Sequence, residues 1–594
     1  MSPRVEQAQP FRLTGTLPQG VTVLEASAGT GKTFTIAALA ARYVAEGTPL
    51  DQILLVTFTR MATGELRDRV RERLVHTENG LARRLAGAAD PGQDEVVKLL
   101  AHGPPDAVAQ RHRNLTQAIA RFDAATIATT HGFCQEVLGG LGIVGDVETD
   151  MTFVEDPADL VEEVVDDLFV RRFHRHGEPQ FTRAEALRIA QIAVANPAAR
   201  LEPEAAPDHT VAAMRVRLAH AVRDELERRK RRMALITYDD LLTRLDETLK
   251  GPGGAAAAAR LRERYRVVLV DEFQDTDPVQ WDIMRRAFGG GGVALILIGD
   301  PKQAIYAFRG ADVYAYLAAA SKADTRATLE VNWRSDQGLI DAYDALFGGA
   351  TLGHEGIVYR RVRAAPGNQT PGLLGAPTGA AVRIRIVHRD EPSITRTRGG
   401  FAGTASVREH IAQDLAADLV GLLSSAAHVE LRTSDGPPTT EPIRPGHVAV
   451  LVRTHRNAAL VRDALAEAGI PGVINGAGSV FGTVPARDWL RVLEAIERPA
   501  SSTRARSASL TPFLGWTAER VANAGEPQWE EVHRRLHRWA RVLRTSGVAA
   551  LMETITRAER LPGRVLATRD GERDLTDLRH VGQLLHATAT SEGM

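Results

Sequence analysis

The 594-residue sequence predicts an α/β fold built on a parallel β-sheet, and two patterns lead to this prediction. Four short runs are apolar on both faces, as buried parallel strands are: VTVLEAS (21–27), QILLVTFT (52–59), YRVVLVDE (265–272) and ALILIGD (294–300). Helix-like segments follow the first two runs, namely FTIAALAARYVAEG (34–47) and ATGELRDRVRERL (62–74). Such alternation is typical of a parallel sheet that is covered by helices.

The pattern changes along the chain and predicts several parts. Long, charged, amphipathic segments such as ADLVEEVVDDLFVRRFHRH (158–176) predict a helical insertion, which closes at the linker-like run GPGGAAAAA (251–259). A second α/β pattern begins near TRATLEVNWRS (325–335), with further strands expected over 381–389 and 447–454. The predicted division is a first α/β domain, a helical insertion, the return of the first domain, a partial second α/β domain and the start of a second helical insertion, over residues 1–139, 140–256, 257–325, 326–500 and 501–594.

Composition narrows the classes of protein. The formal net charge is −1, so a nucleic-acid partner would need a local basic groove instead of a globally basic surface. The single cysteine, Cys134, excludes an internal disulfide and a cysteine-based metal cluster. No run of about 18 apolar residues and no signal-peptide-like run is found, so we expect a soluble cytoplasmic protein.

A phosphate-binding loop is predicted where the first strand meets the first helix, in ASAGTGKT (26–33). Backbone N–H groups of this loop would surround phosphate oxygens, Lys32 would reach the β- and γ-phosphates, and the Thr33 hydroxyl would bind Mg²⁺. The alternative is a plain glycine-rich turn. The nucleotide-binding candidates are Ala26, Ser27, Ala28, Gly29, Thr30, Gly31, Lys32 and Thr33.

Two acids end a later strand, in RVVLVDEFQDTD (266–277). Asp271 is the candidate Mg²⁺ ligand, and Glu272 is the candidate base that orients or deprotonates the attacking water. Taken alone, two acids after a strand also fit a solvated strand end. Together with the phosphate-binding loop they predict hydrolysis of a nucleoside triphosphate with Mg²⁺.

Three segments mix aromatic and phosphate-binding residues at predicted strand ends: VTFTRMATGELRDRV (56–70), IATTHGFCQEV (127–137) and IGDPKQAIYAFRGADV (298–313). Aromatic rings that stack on bases, beside groups that bind phosphates, suit single-stranded nucleic acid. The alternative places each aromatic residue in the core. A short basic run, ERRKRRM (227–233), fits either a solvated helix face or a DNA contact. The DNA-binding candidates are Phe58, Thr59, Thr129, His131, Lys302, Tyr306, Phe308 and Arg309.

The ordered motifs ASAGTGKT, TFTRMATGELR, TTHGFC, VDEFQDTD, GDPKQAIYAFRGAD and EVNWRS resemble motifs I, Ia, Ib, II, III and IV of the superfamily 1A helicases, the UvrD/Rep/RecB group. Within that group, EASAGTGKT, DEFQDTDPVQ, GDPKQAIYAFRGADVYAY and the late run DGERDLTDLRHVGQLL (570–585) resemble the RecB-type proteins, the beta subunits of exodeoxyribonuclease V. The resemblance implies RecA-like motor domains with helical insertions, ATP and Mg²⁺ as cofactors, and ATP-driven movement on DNA in the 3′ to 5′ direction.

The resemblance also assigns roles to residues. It places Lys32 and Thr33 on phosphates and Mg²⁺, Asp271 on Mg²⁺, and Glu272 as the catalytic base. It further implies that Gln303 senses the γ-phosphate, that Arg334 contacts it across the domain cleft, and that Trp333 packs on the adenine. The implied partners are single-stranded DNA, duplex DNA ends, and RecC- and RecD-like subunits acting in double-strand break repair and recombination, with no membrane.

The resemblance stops before the sequence of the family is complete. Motifs V and VI are not found before Met594, and the nuclease domain is not found either. We therefore expect this chain not to cut DNA by itself, and to be either a fragment or a shortened protein. The alternatives are an AddA-type or UvrD-like helicase, an ATP- and DNA-binding assembly subunit without turnover, and a P-loop enzyme that acts on small molecules.

Overall fold

The computed structural model describes residues 8–87, 94–141, 152–154, 156–173, 181–197, 199–204, 207, 210–307, 310–350, 352–432, 438–474, 479–568 and 570–591. The chain forms two compact units. The first unit comprises Met1–Arg385 and Ala427–Pro442, and the second comprises Ile386–Ala426 and Ile443–Met594. Among the described residues, no helix combines the length and the apolar character needed to cross a membrane.

The described strands all belong to the first unit. They are β1 (Gln9–Pro10), β2 (Val21–Glu25), β3 (Ile53–Thr57), β4 (Thr126–Thr129), β5 (Thr152–Phe153), β6 (Leu235–Ile236), β7 (Val267–Val270), β8 (Ala294–Gly299), β9 (Thr325–Thr328), β10 (Val331–Asn332), β11 (Arg363–Ala364), β12 (Leu373–Leu374), β13 (His428–Leu431) and β14 (Thr439–Pro442).

The first unit contains these described helices: α1 (Lys32–Ala45), α2 (Arg60–Leu85), α3 (Glu95–Leu100), α4 (Pro105–Ala120), α5 (Thr130–Leu141), α6 (Ala158–Phe173), α7 (Arg183–Ala195), α8 (Val211–Arg232), α9 (Tyr238–Lys250), α10 (Gly254–Arg264), α11 (Pro278–Phe288), α12 (Val313–Lys322) and α13 (Gln337–Phe347). The second unit contains α14 (Thr404–Leu423), α15 (His455–Glu467), α16 (Val484–Glu497), α17 (Ser502–Ser509), α18 (Ala518–Asn523), α19 (Glu526–Ala558), α20 (Leu561–Leu566) and α21 (Gly571–Ser591).

The core of the first unit is a parallel sheet with the strand order β1-β9-β2-β8-β7-β3-β4 in the described residues. Side chains alternate between its two faces, and both faces are buried. Leu24 and Leu55 pack with α1, α2 and α4 on one face. Val23 and Leu54 pack with α5, α9, α10, α11 and α12 on the other. The predicted α/β fold with a helix-covered parallel sheet is therefore confirmed.

Strand β9 shows a limit of the sequence prediction. The second α/β pattern was expected to begin near residue 325, but Thr325–Thr328 belongs to the first sheet, where it lies between β1 and β2 and is parallel to both. Apolar patterning shows that a segment is extended but does not show which sheet it joins.

The strands predicted over 381–389 and 447–454 are wrong for this structure. Neither segment forms a strand, and Ile384 and Leu451 are 73% and 95% exposed. An alternating apolar pattern predicts an extended segment but does not by itself decide that a strand forms.

Helices α6, α7 and α8 pack on one another through a separate apolar cluster that includes Val164, Ala186 and Val222. In the second unit, α14 packs on α15 around Leu419 and Leu465. Helices α16 to α21 enclose another cluster, and α19 is bent at Gly547, whose φ is 78°.

Candidate nucleotide and DNA sites

The loop between β2 and α1 has the geometry of a phosphate cradle. Helix α1 begins at Lys32, directly after Gly31, whose φ is 86°, and Gly29 has a φ of 77°. A Cβ on Gly29 would lie 2.8 Å from the Asn332 Oδ1 and 2.9 Å from the Arg334 Cβ. Both the left-handed backbone and the close packing therefore require glycine at position 29, and the backbone N–H groups at the start of α1 are left to bind an anion.

The structure brings Lys32 and Glu272 together although 240 residues separate them in sequence. The Lys32 Nζ lies 2.5 Å from the Glu272 Oε2, and the Lys32 side chain is only 12% exposed. Strands β2 and β7 both end at this edge of the parallel sheet, so the candidate phosphate-binding lysine and the candidate base face one space. Glu272 has a φ of 48°, which is unusual for a residue with a Cβ and marks a strained turn at the candidate site.

Gln274 connects the Glu272 turn to the next strand, β8. Its Nε2 donates to the Glu272 Oε2 at 2.8 Å, and its Oε1 accepts the backbone N–H of Asp300 at 2.9 Å. Gln274 is not among the functional residues predicted from the sequence. Its place in the run DEFQD, two positions after the candidate base, was the available signal.

Three carboxyl groups, those of Asp271, Glu272 and Asp275, lie near Lys32 in a partly buried region. Burial, reinforced by the negative charge of Glu272, raises the pKa of Asp271 to about 6. The same two causes raise the pKa of Asp275 to about 6. With Lys32 as the counter-charge, this cluster is deficient in positive charge and suits a cation.

The donor set around Asp271 fits Mg²⁺. Thr33 is the second residue of α1 and supplies a hydroxyl, while Asp271 supplies a carboxylate at the end of β7. Among the described residues, no three His, Cys, Asp or Glu side chains form a ready-made metal cluster. Mg²⁺ is commonly held by one or two protein groups together with phosphate oxygens and water, so this limited set is sufficient.

Replacing Asp271 with Asn is expected to stabilise the nucleotide-free protein at neutral pH. A carboxyl group whose pKa is raised on folding contributes stability below pH 4, and that contribution is lost as the pH rises through about 6. An asparagine at this position does not ionise and has no such loss, so the variant should gain roughly 1 to 3 kcal/mol at pH 7.5 and almost nothing at pH 4. Thermal unfolding at both pH values, without nucleotide or Mg²⁺, measures this difference.

Asp282→Asn is the matched control for that measurement. A hydrogen bond from Arg285 lowers the pKa of Asp282, so the charged form is the one that folding favours. The control should therefore lose stability at pH 7.5, whereas Asp271→Asn should gain stability at the same pH. A thermal unfolding midpoint below that of the wild type for Asp271→Asn at pH 7.5 would contradict the proposed deficit of positive charge around Asp271.

A cavity of about 500 Å³ lies beside the phosphate loop, within the first unit. Ser27 and Ala28 line one side, and the predicted phosphate-sensing residues Gln303 and Arg334 line it as well. The Gln303 Nε2 donates to the Asp300 Oδ2 at 2.7 Å. Gln303 and Arg334 therefore face one cavity next to the loop.

Trp333 lies over the glycines of the loop. Its backbone N–H donates to the Gly29 carbonyl at 2.8 Å, and its ring carbon Cδ1 is 3.7 Å from the position of a Cβ on Gly31. The side chain is 64% exposed, which leaves a ring face open for a flat apolar partner.

Asn332 holds this segment against the loop and was not selected from sequence. Its Nδ2 donates to the Ala28 carbonyl at 3.1 Å, and its Oδ1 accepts the backbone N–H groups of Arg334 and Ser335. Asn332 is 7% exposed. One buried amide thus sets the position of Trp333 and Arg334 relative to the phosphate loop.

Several DNA-binding candidates lie at the same edge of the sheet. Strands β3 and β4 are neighbours in register, with Thr57 opposite Thr129. Thr59 caps α2 by accepting the Ala62 N–H, and Thr129 accepts the Gly132 N–H. In these two contacts the hydroxyls of Thr59 and Thr129 act as acceptors, so the proton of each can be donated to a phosphate.

The aromatic candidates make ring contacts. The rings of Phe58 and Tyr306 have centroids 5.3 Å apart. His131 lies 5.2 Å from the ring of Tyr238, and burial lowers the pKa of His131, which favours its neutral form. Arg60 lies over the ring of Tyr238, the first residue of α9, which is not among the residues predicted from the sequence.

The remaining basic candidates differ in position. Lys302 is 14% exposed and ion-paired with Asp300 at 2.7 Å, so in this conformation it faces carboxylates and not an open DNA path. In the basic run 227–233, Arg229 pairs with Glu163, Asp167 and Glu225. Phe308 and Arg309 lie outside the described residues.

Nearly the whole chain is similar in sequence to known proteins. It is 46% identical to the RecBCD enzyme subunit RecB of Mycobacterium tuberculosis (strain ATCC 25618 / H37Rv), over 98% of this chain and 52% of the relative. It is 44% identical to the RecB subunit of Mycolicibacterium smegmatis, over 98% and 52%, and 29% identical to that of Escherichia coli (strain K12), over 99% and 59%. The chain thus spans between half and three fifths of the length of these curated relatives.

A family model covers the part of the chain that carries the site. The UvrD/REP helicase N-terminal domain matches residues 6–324, which include the phosphate loop, Asp271, Glu272 and Gln303. The match covers more than half of the chain and agrees with the parallel sheet and with the placement of these groups at its edge. The chain therefore belongs to the UvrD/REP helicase family.

Proposed function

We propose that this chain is the ATP-driven DNA motor part of a RecBCD-type helicase subunit. The observation that carries the proposal is the 2.5 Å contact between the Lys32 Nζ and the Glu272 Oε2, beside the phosphate loop. It brings a phosphate-binding cation and a candidate base to one space, as phosphoryl transfer to water requires. The similarity to RecB subunits supports DNA as the substrate.

In the proposed reaction, backbone N–H groups of residues 29–33 and Lys32 bind the phosphates of ATP. Binding of the γ-phosphate to Lys32 releases the Glu272 carboxylate, which then orients the attacking water and accepts its proton. Asp271 and Thr33 would hold Mg²⁺, which neutralises phosphate charge when it is bound. Gln303 and Arg334 contact the γ-phosphate from the cavity, and Trp333 packs on the adenine.

Hydrolysis is coupled to DNA through short connections in the proposed mechanism. Gln274 links Glu272 to the backbone of Asp300, and Tyr306 lies three residues after Gln303. Loss of the γ-phosphate thus changes contacts close to the aromatic pair Phe58 and Tyr306. The proposed motion is 3′ to 5′ along single-stranded DNA, at double-strand breaks, in the cytoplasm and together with RecC- and RecD-like subunits.

The testing experiment is the ATPase rate of the 594-residue chain with and without single-stranded DNA. We expect DNA to stimulate hydrolysis, and the Glu272→Gln variant to remove it. A rate that does not respond to DNA would contradict the motor function.

A second candidate is an assembly subunit that binds ATP and DNA without turnover. ATP and DNA binding without hydrolysis in the same experiment would favour this candidate.

Replacing Phe58 with Ala is expected to weaken binding of single-stranded DNA by about 5-fold to 150-fold, because one stacked base contributes roughly 1 to 3 kcal/mol. A fluorescence anisotropy titration with a labelled oligonucleotide measures the effect. Phe481→Ala, which removes a 57% exposed ring in the second unit, is the control and should bind as the wild type does. If the wild type, Phe58→Ala and Phe481→Ala bind the oligonucleotide with equal affinity, the contact of Phe58 is purely structural.

A further inference from the structure

Glu25 is a buried carboxylate that the proposed mechanism does not use. It is the last residue of β2, directly before the phosphate loop, and its side chain is only 7% exposed. A charged group in such a position is costly unless cations compensate it. The cations around Glu25 therefore indicate its role.

Two cations from distant parts of the first unit converge on Glu25. The Arg360 Nε donates to the Glu25 Oε2 at 2.7 Å, although the residues are 335 positions apart. The Lys302 Nζ lies 3.6 Å from the Glu25 Oε1 and 2.7 Å from the Asp300 Oδ1. The cluster of Glu25, Asp300, Lys302 and Arg360 contains two negative and two positive charges. Its net charge is therefore zero, and the loss of any one member leaves an uncompensated charge.

Asp300 connects this cluster to the phosphate-sensing residue. Its Oδ1 lies next to Lys302, and its Oδ2 accepts the hydrogen bond from the Gln303 Nε2 at 2.7 Å. Asp300 is 2% exposed, and its backbone N–H is bound to Gln274. The orientation of the Asp300 carboxylate thus determines where Gln303 is held, and Lys302 determines that orientation.

Lys302 stands between two carboxylates at unequal distances. The Glu25 Oε1 and the Lys302 Nζ are both buried, and neither makes a hydrogen bond of good geometry in the described residues. Their attraction is therefore Coulombic, and a small shift of Lys302 toward Glu25 would weaken its contact with Asp300. Arg360 limits this shift by satisfying the other oxygen of Glu25.

We propose that Glu25 is a positioning residue for recognition of the γ-phosphate, acting through Lys302 and Asp300 on Gln303. Through Arg360 it also connects the strand before the phosphate loop to the segment that precedes β11. This inference rests on the proposed function, because it assumes that Gln303 contacts the γ-phosphate of a bound nucleotide.

The test compares the affinities of the full chain for ADP and for a slowly hydrolysed ATP analogue, by direct titration with Mg²⁺ present. In the Glu25→Gln variant we expect the preference for the analogue over ADP to fall by about 5-fold or more, in the range of ordinary coupling between sites. Affinity for ADP should stay near the wild-type value, because ADP has no γ-phosphate. General damage to the fold would lower both affinities together.

Further variants make the result specific. Lys302→Met should lose the same preference, and the double variant Glu25→Gln/Lys302→Met should lose no more than either single variant, because both act in one chain of contacts. Glu25→Asp, which keeps the charge, should recover part of the preference. Glu559→Gln removes another buried carboxylate, paired with Arg535 in the second unit, and should change nothing.

An unchanged preference in Glu25→Gln, or an equal fall in the affinity for ADP, would overturn the inference. If Glu25→Gln does not fold, Lys302→Met gives the same test from the other end of the contact. Failure of the proposed function looks different, because the wild-type chain would then bind neither nucleotide.

Discussion

Replacing Glu272 with Gln is expected to lower the rate of ATP turnover by about 100-fold to 10,000-fold, the range typical of a lost general base. The amide keeps the size of the side chain but cannot take a proton from water. It also releases Lys32 from the 2.5 Å ion pair, so binding of ATP should be equal or tighter. The measurement is the steady-state kcat with saturating single-stranded DNA, together with a nucleotide titration.

Asp282→Asn provides the matched control for Glu272→Gln. It removes one negative charge from the same unit, on α11, where Asp282 pairs with Arg285. Its turnover should equal that of the wild type. A Glu272→Gln variant that keeps more than a tenth of wild-type turnover would exclude Glu272 as the base.

Replacing Lys32 with Ala is expected to abolish measurable hydrolysis and to weaken binding of ATP. One preorganised charge contact to the transferred group contributes about 100-fold to 1,000-fold in rate, and Lys32 adds to this by holding the phosphates in place. The variant also leaves Glu272 next to Asp271 and Asp275 without its cation, whose presence lowers the pKa of both aspartates. We therefore expect the pKa of Asp271 to rise further and the nucleotide-free protein to be less stable at pH 7.5.

Three measurements separate these effects of Lys32→Ala: the ATPase rate, the ATP affinity and the affinity for single-stranded DNA. DNA affinity without nucleotide should remain near wild type, because the candidate DNA residues lie at or after the ends of β3, β4 and β8, not in the phosphate loop. Lys322→Ala, at the exposed end of α12, is the control for loss of a lysine. Wild-type turnover in the Lys32→Ala variant would contradict the assignment of the nucleotide site to residues 26–33.

The phosphate loop and the acidic strand end could be predicted because each is local. Val21–Glu25, the loop and α1 are continuous in the chain, and the glycines at 29 and 31 are required by backbone angles that few other residues adopt. The same holds for Asp271 and Glu272, which directly follow the apolar run of β7. Local patterns carry this information because neighbouring residues share one strand or one turn.

The contacts of the site could not be predicted in the same way. Gln274, Asn332 and Glu25 look like ordinary polar residues in sequence, and their roles depend on partners that are distant along the chain, up to 335 positions away for Glu25. The strands expected over 381–389 and 447–454 show the same limit from the other side. Their apolar residues are typical of strands, yet the described structure assigns no strand to either range, because an apolar pattern alone does not decide the conformation.

The sequence by itself determined the α/β class, the phosphate loop, the order of the motifs and the residue types available for catalysis. These follow from periodicity, from glycine conformations and from short motifs, which act over a few residues. Only the tertiary structure decided the strand order, the place of Thr325–Thr328 beside β2 and the meeting of Lys32 with Glu272. It also decided the charge cluster of Glu25, Lys302, Asp300 and Arg360, because burial and Coulomb attraction depend on distances in space and not on separation along the chain.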